Sequence, residues 1–188
     1  MSISQRIVKN KTLKNAHTAD IAYRLGAELS VQLDKCDSAP LALVEKAVKH
    51  SLNDLLDSHY DADTPAYGTY ERDLIYTDPK GRFTALLVSW AAGAKTPVHG
   101  HKSWGCVALI DGVMGCRCYD RTTDESGQAV TKERMHTIIT AGDMATVNPD
   151  PEGIHSLYLK EGRRALSLHI YGMDLTEEPT AINVPYTQ

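Results

Sequence analysis

The chain has 188 residues and a mass of 20.7 kDa, the size of one ordinary domain with a substantial core. Its charges are mixed, with 20 Lys and Arg against 24 Asp and Glu for a formal net charge of -4, and no basic stripe points to nucleic acid as a partner. The first residues lack an apolar signal core and no apolar run reaches membrane-spanning length, so we expect a single cytoplasmic domain over 1–188 with no membrane partner.

The first part of the chain, residues 1–60, is predicted to be helical. Apolar residues recur at helical spacing over 16–35 and again over 40–59. Thr18 and Ser38 each stand where a side-chain oxygen can cap the start of a helix. We expect these two helices to cover one end of the domain.

From residue 67 to residue 172 the pattern changes to short strands separated by turn signals. The predicted strands cover residues 82–90, 106–110, 115–120, 133–139, 144–147, 156–159 and 165–171. Helices followed by many short strands indicate a mainly β fold, here a small closed β-barrel over 67–174 with the helices to one side. The polar tail over 175–188 is expected to wrap the outside of this barrel.

The clearest chemical signal lies in residues 93–112, GAKTPVHGHKSWGCVALIDG. His99 and His101 are two residues apart, so both imidazoles lie on one face of an extended strand and can bind the same metal ion. A third ligand is needed, and His155, which comes shortly after the turn residues NPDPEG, is the best placed. The sequence favours a three-histidine site over a surface strand with a chance His-x-His pattern.

The last predicted strand carries three alternating polar residues, Ser167, His169 and Tyr171, which share one face. Inside a barrel they can satisfy one another, hydroxyl to imidazole and imidazole to phenol, with the tyrosine oxygen directed at a ligand. The alternative is a strand with its polar face in water. An acyl-transfer site is disfavoured, because Ser167 would lie in the middle of a strand with no turn around it.

The four cysteines, Cys36, Cys106, Cys116 and Cys118, are interpreted as reduced thiols. A single residue between Cys116 and Cys118 is a poor spacing for zinc, and the sequence has no second pair. We therefore interpret both as small apolar strand residues.

Both histidine segments resemble the cupin motifs. The first cupin motif has a glycine, five residues, His-x-His, an acid and a closing glycine, and Gly93 and Gly112 stand in the two glycine positions. Gly105 occupies the position of the acid, which is a fourth metal ligand in that family. The glycine-containing approach to His155 resembles the second motif more loosely. The resemblance implies a cupin barrel, also called a jelly roll.

Three segments together resemble the thiol dioxygenases of the cysteine dioxygenase type: SWAAGAKTPVHGHKSWG, GIHSLYL and SLHIYG, within about residues 67–174. The resemblance implies that three histidines hold ferrous iron, Fe(II), with a Ser-x-His-x-Tyr chain beside it. It also implies that a Gly-x-Tyr-x-Arg segment binds the substrate carboxylate. The matching residues are His99, His101 and His155 for the iron, Ser167, His169 and Tyr171 for the chain, and Tyr70 and Arg72 for the substrate.

The same resemblance implies a reaction of O2 with a small thiol carboxylate that yields the sulfinic acid. Arg72 is present and no arginine follows Tyr171, which favours cysteine over 3-mercaptopropionate. Mercaptosuccinate or another mercapto-acid stays open, because a basic side chain could bind a second carboxylate: Lys95, Lys102, Arg82 or Arg117. The family's Cys–Tyr cross-link is not expected, since Gly105 stands in its cysteine position and Cys106 should face away.

Other interpretations stay open at this point. Arg72 could pair with Glu71 or Asp73 at the surface, and Tyr70 could be a core residue. The chain could be another three-histidine cupin dioxygenase, for example one that acts on a diketone with nickel or iron. It could also be a non-catalytic cupin that binds a small acid or stores a metal ion. The sequence leaves the oligomeric state open.

Overall fold

The computed structural model describes residues 7–8, 16–36, 40–58 and 65–186. One short strand and then two helices precede the main part of a largely antiparallel sheet. The helices are α1 (Ala16–Leu33) and α2 (Pro40–Asp57), and the strands are β1 (Ile7–Val8), β2 (Tyr70–Thr77), β3 (Thr84–Ala91), β4 (His99–Gly100), β5 (Gly105–Thr123), β6 (Ala129–Thr140), β7 (Met144–Val147), β8 (His155–Tyr171) and β9 (Val184–Pro185). Within the described ranges, no helix is long and apolar enough to cross a membrane.

The two helices pack against one face of the sheet. Each presents a stripe of apolar residues at helical spacing, as the sequence predicts. The buried cluster they form with the sheet includes Ala22, Leu25 and Leu29 of α1, Val44, Val48 and Leu55 of α2, and Cys106, Ala108, Leu168 and Ile170 of the strands. The helices therefore cover this face and leave the opposite face of the sheet for the polar residues.

The predicted cap of the first helix is wrong. Thr18 lies inside α1 and is buried, and its Oγ1 is 2.6 Å from the Oγ of Ser58. This hydrogen bond joins the first turn of α1 to the end of α2. The second helix begins at Pro40, a position that suits the fixed φ and missing N–H of proline. Ser38, the predicted cap of that helix, and His59 lie outside the described residues.

Two long strands, β5 and β8, organise the sheet. β8 pairs with β3 on one side and with β5 on the other, and β5 also pairs with β6 and β7. The predicted strands over 106–110 and 115–120 are both parts of β5, and those over 156–159 and 165–171 are both parts of β8. Four predicted strands are thus two long ones.

A bulge explains why β5 continues where the sequence suggested a turn. The register of β5 against β8 shifts between Leu109 and Met114, and Gly112 within this segment has a φ of 92°. A Cβ at Gly112 would lie 2.7 Å from the Cβ of Ala165 on β8. Glycine therefore lets the strand bend sharply against its neighbour without ending.

The sheet curls into a half-barrel. Among the described strands, β6 and β7 each pair only with β5, so the sheet is open along them and does not form the closed barrel that we expected. The predicted mainly β fold with N-terminal helices is confirmed.

The concave face of this curled sheet carries the polar residues of β8. Leu168 and Ile170 face the helices, so the alternating residues Ser167, His169 and Tyr171 face the other way. They lie beside a second apolar cluster that includes Leu86, Val88, Trp90, Leu109, Leu157 and Leu159.

The C-terminal tail returns to the concave side. Val184 and Pro185 form β9, which pairs with Gly100 and His99 of β4. Ala181 and Ile182, just before β9, are fully buried. The expectation of a tail wrapped around the outside is wrong in this part, because apolar residues anchor it beside the histidine strand.

Candidate metal centre

Three buried histidines converge at the edge of the concave face. β4 pairs with β8 so that His99 lies directly opposite His155, and His101 follows two residues after His99. One ligand atom from each of His99, His101 and His155 lies within 4.8 Å of the other two, and the side chains are buried. Their ring centroids are 4.6 to 5.2 Å apart. The structure thus brings together the three histidines predicted from the sequence, in an arrangement that could hold a metal ion.

Backbone carbonyls orient two of the imidazoles. The Nδ1 of His99 lies 2.9 Å from the carbonyl oxygen of Pro97, and the Nδ1 of His155 lies 2.8 Å from that of Gly153. Each Nδ1–H can donate to its carbonyl, which leaves Nε2 unprotonated and available as a metal ligand.

The surroundings of His101 fit a metal ion. Both ring nitrogens of His101 are buried and have no hydrogen-bond partner. Leaving a polar atom buried without a partner costs free energy, and coordination would satisfy one of the two nitrogens. No carboxylate belongs to this group among the described residues, in agreement with a glycine at position 105. The group consists of neutral nitrogen donors.

Burial keeps the histidines neutral. Burial, with His155 as the next cause, lowers the pKa of His99 to about 3 and that of His101 to about 2. Burial also lowers the pKa of His155. Unprotonated imidazole is the form that binds a metal, so the three side chains are ready to act as ligands near neutral pH.

The three alternating residues of β8 form a hydrogen-bonded chain. The Oγ of Ser167 is 2.8 Å from Nε2 of His169, and Nδ1 of His169 is 3.0 Å from the hydroxyl of Tyr171. All three side chains are buried. The alternative of a strand with its polar face in water is therefore wrong.

A fourth residue, which the sequence analysis missed, joins this chain. The indole N–H of Trp90 on β3 donates to the Oγ of Ser167 over 2.9 Å. The Trp90 side chain is 2 % exposed, and a buried tryptophan usually needs an acceptor for its N–H. That requirement is the one signal in the sequence that could have suggested the contact.

The hydrogen-bonded chain of Ser167, His169 and Tyr171 ends beside the three histidines of the candidate metal centre. The ring of Tyr171 stands edge-on to that of His101, with the centroids 5.1 Å apart. Burial, followed by the charge of Arg72, lowers the pKa of His169 to about 3. Burial raises the pKa of Tyr171 to about 12, with Arg72 acting in the opposite direction. Both groups are therefore neutral near pH 7, and Tyr171 keeps its hydroxyl proton.

Arg72 lies in β2 and is only 6 % exposed, which contradicts the alternative of a surface residue. Its charge lowers the pKa values of His99, His101, His169 and Tyr171, so the guanidinium lies within electrostatic reach of these four side chains. It also lies 5.2 Å from the centroid of the Tyr70 ring. A buried cation beside neutral imidazoles makes the site attractive to an anion.

Two further neighbours position these side chains. The Oδ1 of Asn183 accepts a hydrogen bond from Nη2 of Arg72 over 3.1 Å. The ring of Tyr70 packs against that of Trp90, with a centroid distance of 4.7 Å. Asn183 lies in the polar tail, where no pattern indicated a role, and it reaches Arg72 because β9 brings the tail back to β4.

The four basic residues considered for a second carboxylate are engaged or exposed elsewhere: Lys95, Lys102, Arg82 and Arg117. Arg82 pairs with Asp34 and Asp78. Lys102 and Arg117 form ion pairs with exposed glutamates, and Lys95 is exposed. Three of the four thus already have a carboxylate partner in the protein.

Position 105 lies directly opposite Tyr171 in the pairing of β5 with β8. A Cβ at Gly105 would lie 3.1 Å from two ring carbons of Tyr171 and 2.8 Å from a methyl group of Val147. Cys106 is buried among the residues that face the helices, where burial raises the pKa of its thiol to about 12. As expected, Cys106 faces away from Tyr171.

Comparison with known proteins finds similar folds and no matching family model. The chain is similar to a cupin superfamily protein from Desulfitobacterium hafniense, with 15% identity over 60% of this chain and 84% of that one and a TM-score of 0.44. It is similar to an RmlC-like cupin from Shewanella frigidimarina, with 16% identity, coverage of 62% and 92%, and a TM-score of 0.43. It is also similar to the polyketide cyclase RemF from Streptomyces resistomycificus, with 16% identity, coverage of 58% and 69%, and a TM-score of 0.40.

Proposed function

We propose that the protein is a non-haem iron(II) thiol dioxygenase that converts a small thiol carboxylate and O2 to the sulfinic acid, with cysteine favoured as the substrate. The observation that carries this proposal is the convergence of three neutral, buried histidines with the buried cation of Arg72 and the hydroxyl of Tyr171. 3-Mercaptopropionate and mercaptosuccinate are the alternative substrates.

The ligand set supports a redox metal that binds an anionic sulfur. Imidazole nitrogens suit iron, copper, zinc and nickel, and the group of His99, His101 and His155 contributes no negative charge. Bound Fe(II) would acidify the substrate thiol and activate O2. Since no carboxylate of the group competes with the thiolate for positive charge, a three-histidine shell favours an anionic sulfur ligand.

Arg72 would bind the substrate carboxylate. Hydrogen bonds between a guanidinium and a carboxylate are charge-assisted, and they are stronger where water is excluded. Asn183, which accepts a hydrogen bond from Nη2, would hold the guanidinium in the orientation that the carboxylate needs. A carboxylate held there would fix the position of the sulfur relative to the histidines.

The hydrogen-bonded chain would give Tyr171 the role of a donor. The indole of Trp90 can only donate, so the Oγ of Ser167 accepts from it. The hydroxyl proton of Ser167 can then be donated to Nε2 of His169, whose Nδ1–H donates to the oxygen of Tyr171. If His169 instead donated to Ser167 from Nε2, the Oγ of Ser167 would accept two hydrogen bonds. The hydroxyl proton of Ser167 would then no longer have His169 as an acceptor. The first direction leaves the O–H of Tyr171 to donate towards the reactants.

The test is oxygen uptake by protein loaded anaerobically with iron(II), measured with cysteine, 3-mercaptopropionate and mercaptosuccinate and followed by mass spectrometry of the sulfinate. We expect consumption of O2 with at least one of these thiols and none without thiol. His155→Ala should lose both iron and turnover. His50→Ala, which removes an exposed histidine of α2, should keep both. Absence of O2 uptake with every thiol contradicts the proposal.

A three-histidine dioxygenase for a diketone is the second candidate, because the same group of ligands would serve it. That function predicts turnover without a thiol and little effect of removing Arg72. The buried position of Arg72 favours an anionic substrate over a neutral diketone. The oxygen-uptake measurement therefore separates the two functions.

A further inference from the structure

A cleft with a volume of about 320 Å³ extends outward from His155 along the concave face. This is within the range of about 300–1,000 Å³ that is typical of small-molecule sites. Its walls are mostly apolar and come from β5, β6, β7 and β8, including Val107, Cys116, Cys118, Ile139, Val147 and Leu157. Its rim is polar, with Arg134, Asn148 and Glu152. The proposed chemistry of the three histidines makes no use of this cleft.

Strand register explains why the part of the wall that contains Cys116 and Cys118 borders the three histidines. Cys118 lies directly opposite His155, and Cys116 lies opposite Leu157. Directly opposed residues of antiparallel strands point to the same face of the sheet. The two thiols therefore face the same side as the imidazole of His155, with their sulfur atoms 4.0 Å apart.

The part of the wall that contains Val107 and Ala145 borders the hydrogen-bonded residues of β8. Val107 lies opposite His169 on β8, and Ala145 of β7 lies opposite Val107, so all three face the concave side. Val147 and the ring of Tyr171 both flank the position where Gly105 has no side chain. The inner end of the cleft is thus formed by His155, the predicted site residue that lines it, and Val147 of its wall lies beside the position that Tyr171 also flanks.

We propose that this cleft is a second subsite that binds an apolar group of the substrate, so that the substrate class is a mercapto-acid with an alkyl or similar substituent. The inference rests on the proposed function, because the thiolate and the carboxylate at the inner end are what would direct the substituent into the cleft. Apolar walls with a polar rim suit a chain that is buried along its length and ends near water.

The experiment is anaerobic titration calorimetry of the iron(II)-loaded protein with a series of 2-mercapto-acids whose alkyl substituent grows from methyl to pentyl. Burying a methylene group is worth about 0.8 kcal/mol, so the dissociation constant should fall about fourfold with each added methylene. Ala145→Leu fills the cleft and should abolish this increment while the methyl compound still binds. Ala129→Leu, at the exposed start of β6, is the matched control and should keep the increment.

The outcomes separate this inference from the proposed function. Dissociation constants that do not fall with chain length in the native protein overturn the subsite. An increment that survives in Ala145→Leu overturns its location in the cleft. A series in which no member binds also overturns the subsite, whereas the proposed function is judged separately, by oxygen uptake with cysteine, 3-mercaptopropionate and mercaptosuccinate.

Discussion

The hydrogen bond between Trp90 and Ser167 gives the sharpest test of the tyrosine chain. Trp90→Phe removes the only hydrogen-bonding group of the indole, while an aromatic ring can still pack against Tyr70. Ser167 is 0 % exposed, so water cannot replace the lost donor. Leaving a buried acceptor without its partner costs about 1–3 kcal/mol. The smaller ring adds a cavity cost, so we expect the free energy of unfolding to fall by about 2–4 kcal/mol.

A double-mutant cycle separates the hydrogen bond from the cavity. Ser167→Ala removes the acceptor, so in Trp90→Phe/Ser167→Ala the acceptor is no longer left unpaired. We expect the double variant to be more stable than the sum of the single changes by about 1 kcal/mol, measured by urea unfolding of the metal-free protein. The matched control is Trp104→Phe, which alters the second tryptophan. Trp104 packs on the side of the sheet that faces the helices, so its effect on the free energy of unfolding should add to that of Ser167→Ala. If the losses of unfolding free energy in Trp90→Phe and Ser167→Ala simply add in the double variant, the hydrogen bond does not stabilise the protein.

Two further predictions concern Arg72 and pH. Arg72→Gln should raise the KM for a thiol carboxylate about 10- to 100-fold, because charge-assisted hydrogen bonds are lost; Arg164→Gln, at an exposed ion pair, should leave KM unchanged, and equal effects of the two would contradict the role of Arg72. The pKa of His169 is about 3 in the folded protein against an ordinary value of 6.5, so the unfolded chain binds a proton that the folded chain does not. The free energy of unfolding of the metal-free protein should therefore fall as the pH drops from about 6.5 towards 3, by up to about 1.4 kcal/mol per pH unit for each such histidine. Urea unfolding across this range tests the slope, and a flat profile would contradict burial of neutral histidines.

Local patterns in the sequence were sufficient for the two helices, for many of the strand segments and for the residues that point the same way along an extended segment. The His-x-His pair needed only the two-residue period of a strand, and so did the alternation of Ser167, His169 and Tyr171. His155 was found because turn residues before it indicated the start of another strand. These predictions required no knowledge of distant contacts, and the structure agrees with the placement of these residues.

Contacts between distant segments could not be read from the sequence. Asn183 and Arg72 are separated by 111 positions, and the contact exists because apolar residues such as Ile182 anchor the tail. Residue 90 was predicted only as the end of a strand, and the sequence does not say which acceptor a buried indole meets. The continuity of β5 was missed for a related reason: Gly112 marks a bend equally well in a turn and in a bulge.

The electrostatics of the site distinguish among the substrates considered. The three histidines are neutral, and Arg72 adds a buried positive charge that acts on His99 and His101. With a divalent ion bound, the site would carry several positive charges and, among its described ligands, no carboxylate to balance them. Burying charge is costly unless it is compensated, so a ligand that brings negative charge to the metal would stabilise such a site. A thiol carboxylate brings two negative groups, whereas a diketone brings at most one. An acid at position 105 would have supplied negative charge to the metal from the protein; with glycine there, the proposed function assigns that charge to the thiolate of the substrate.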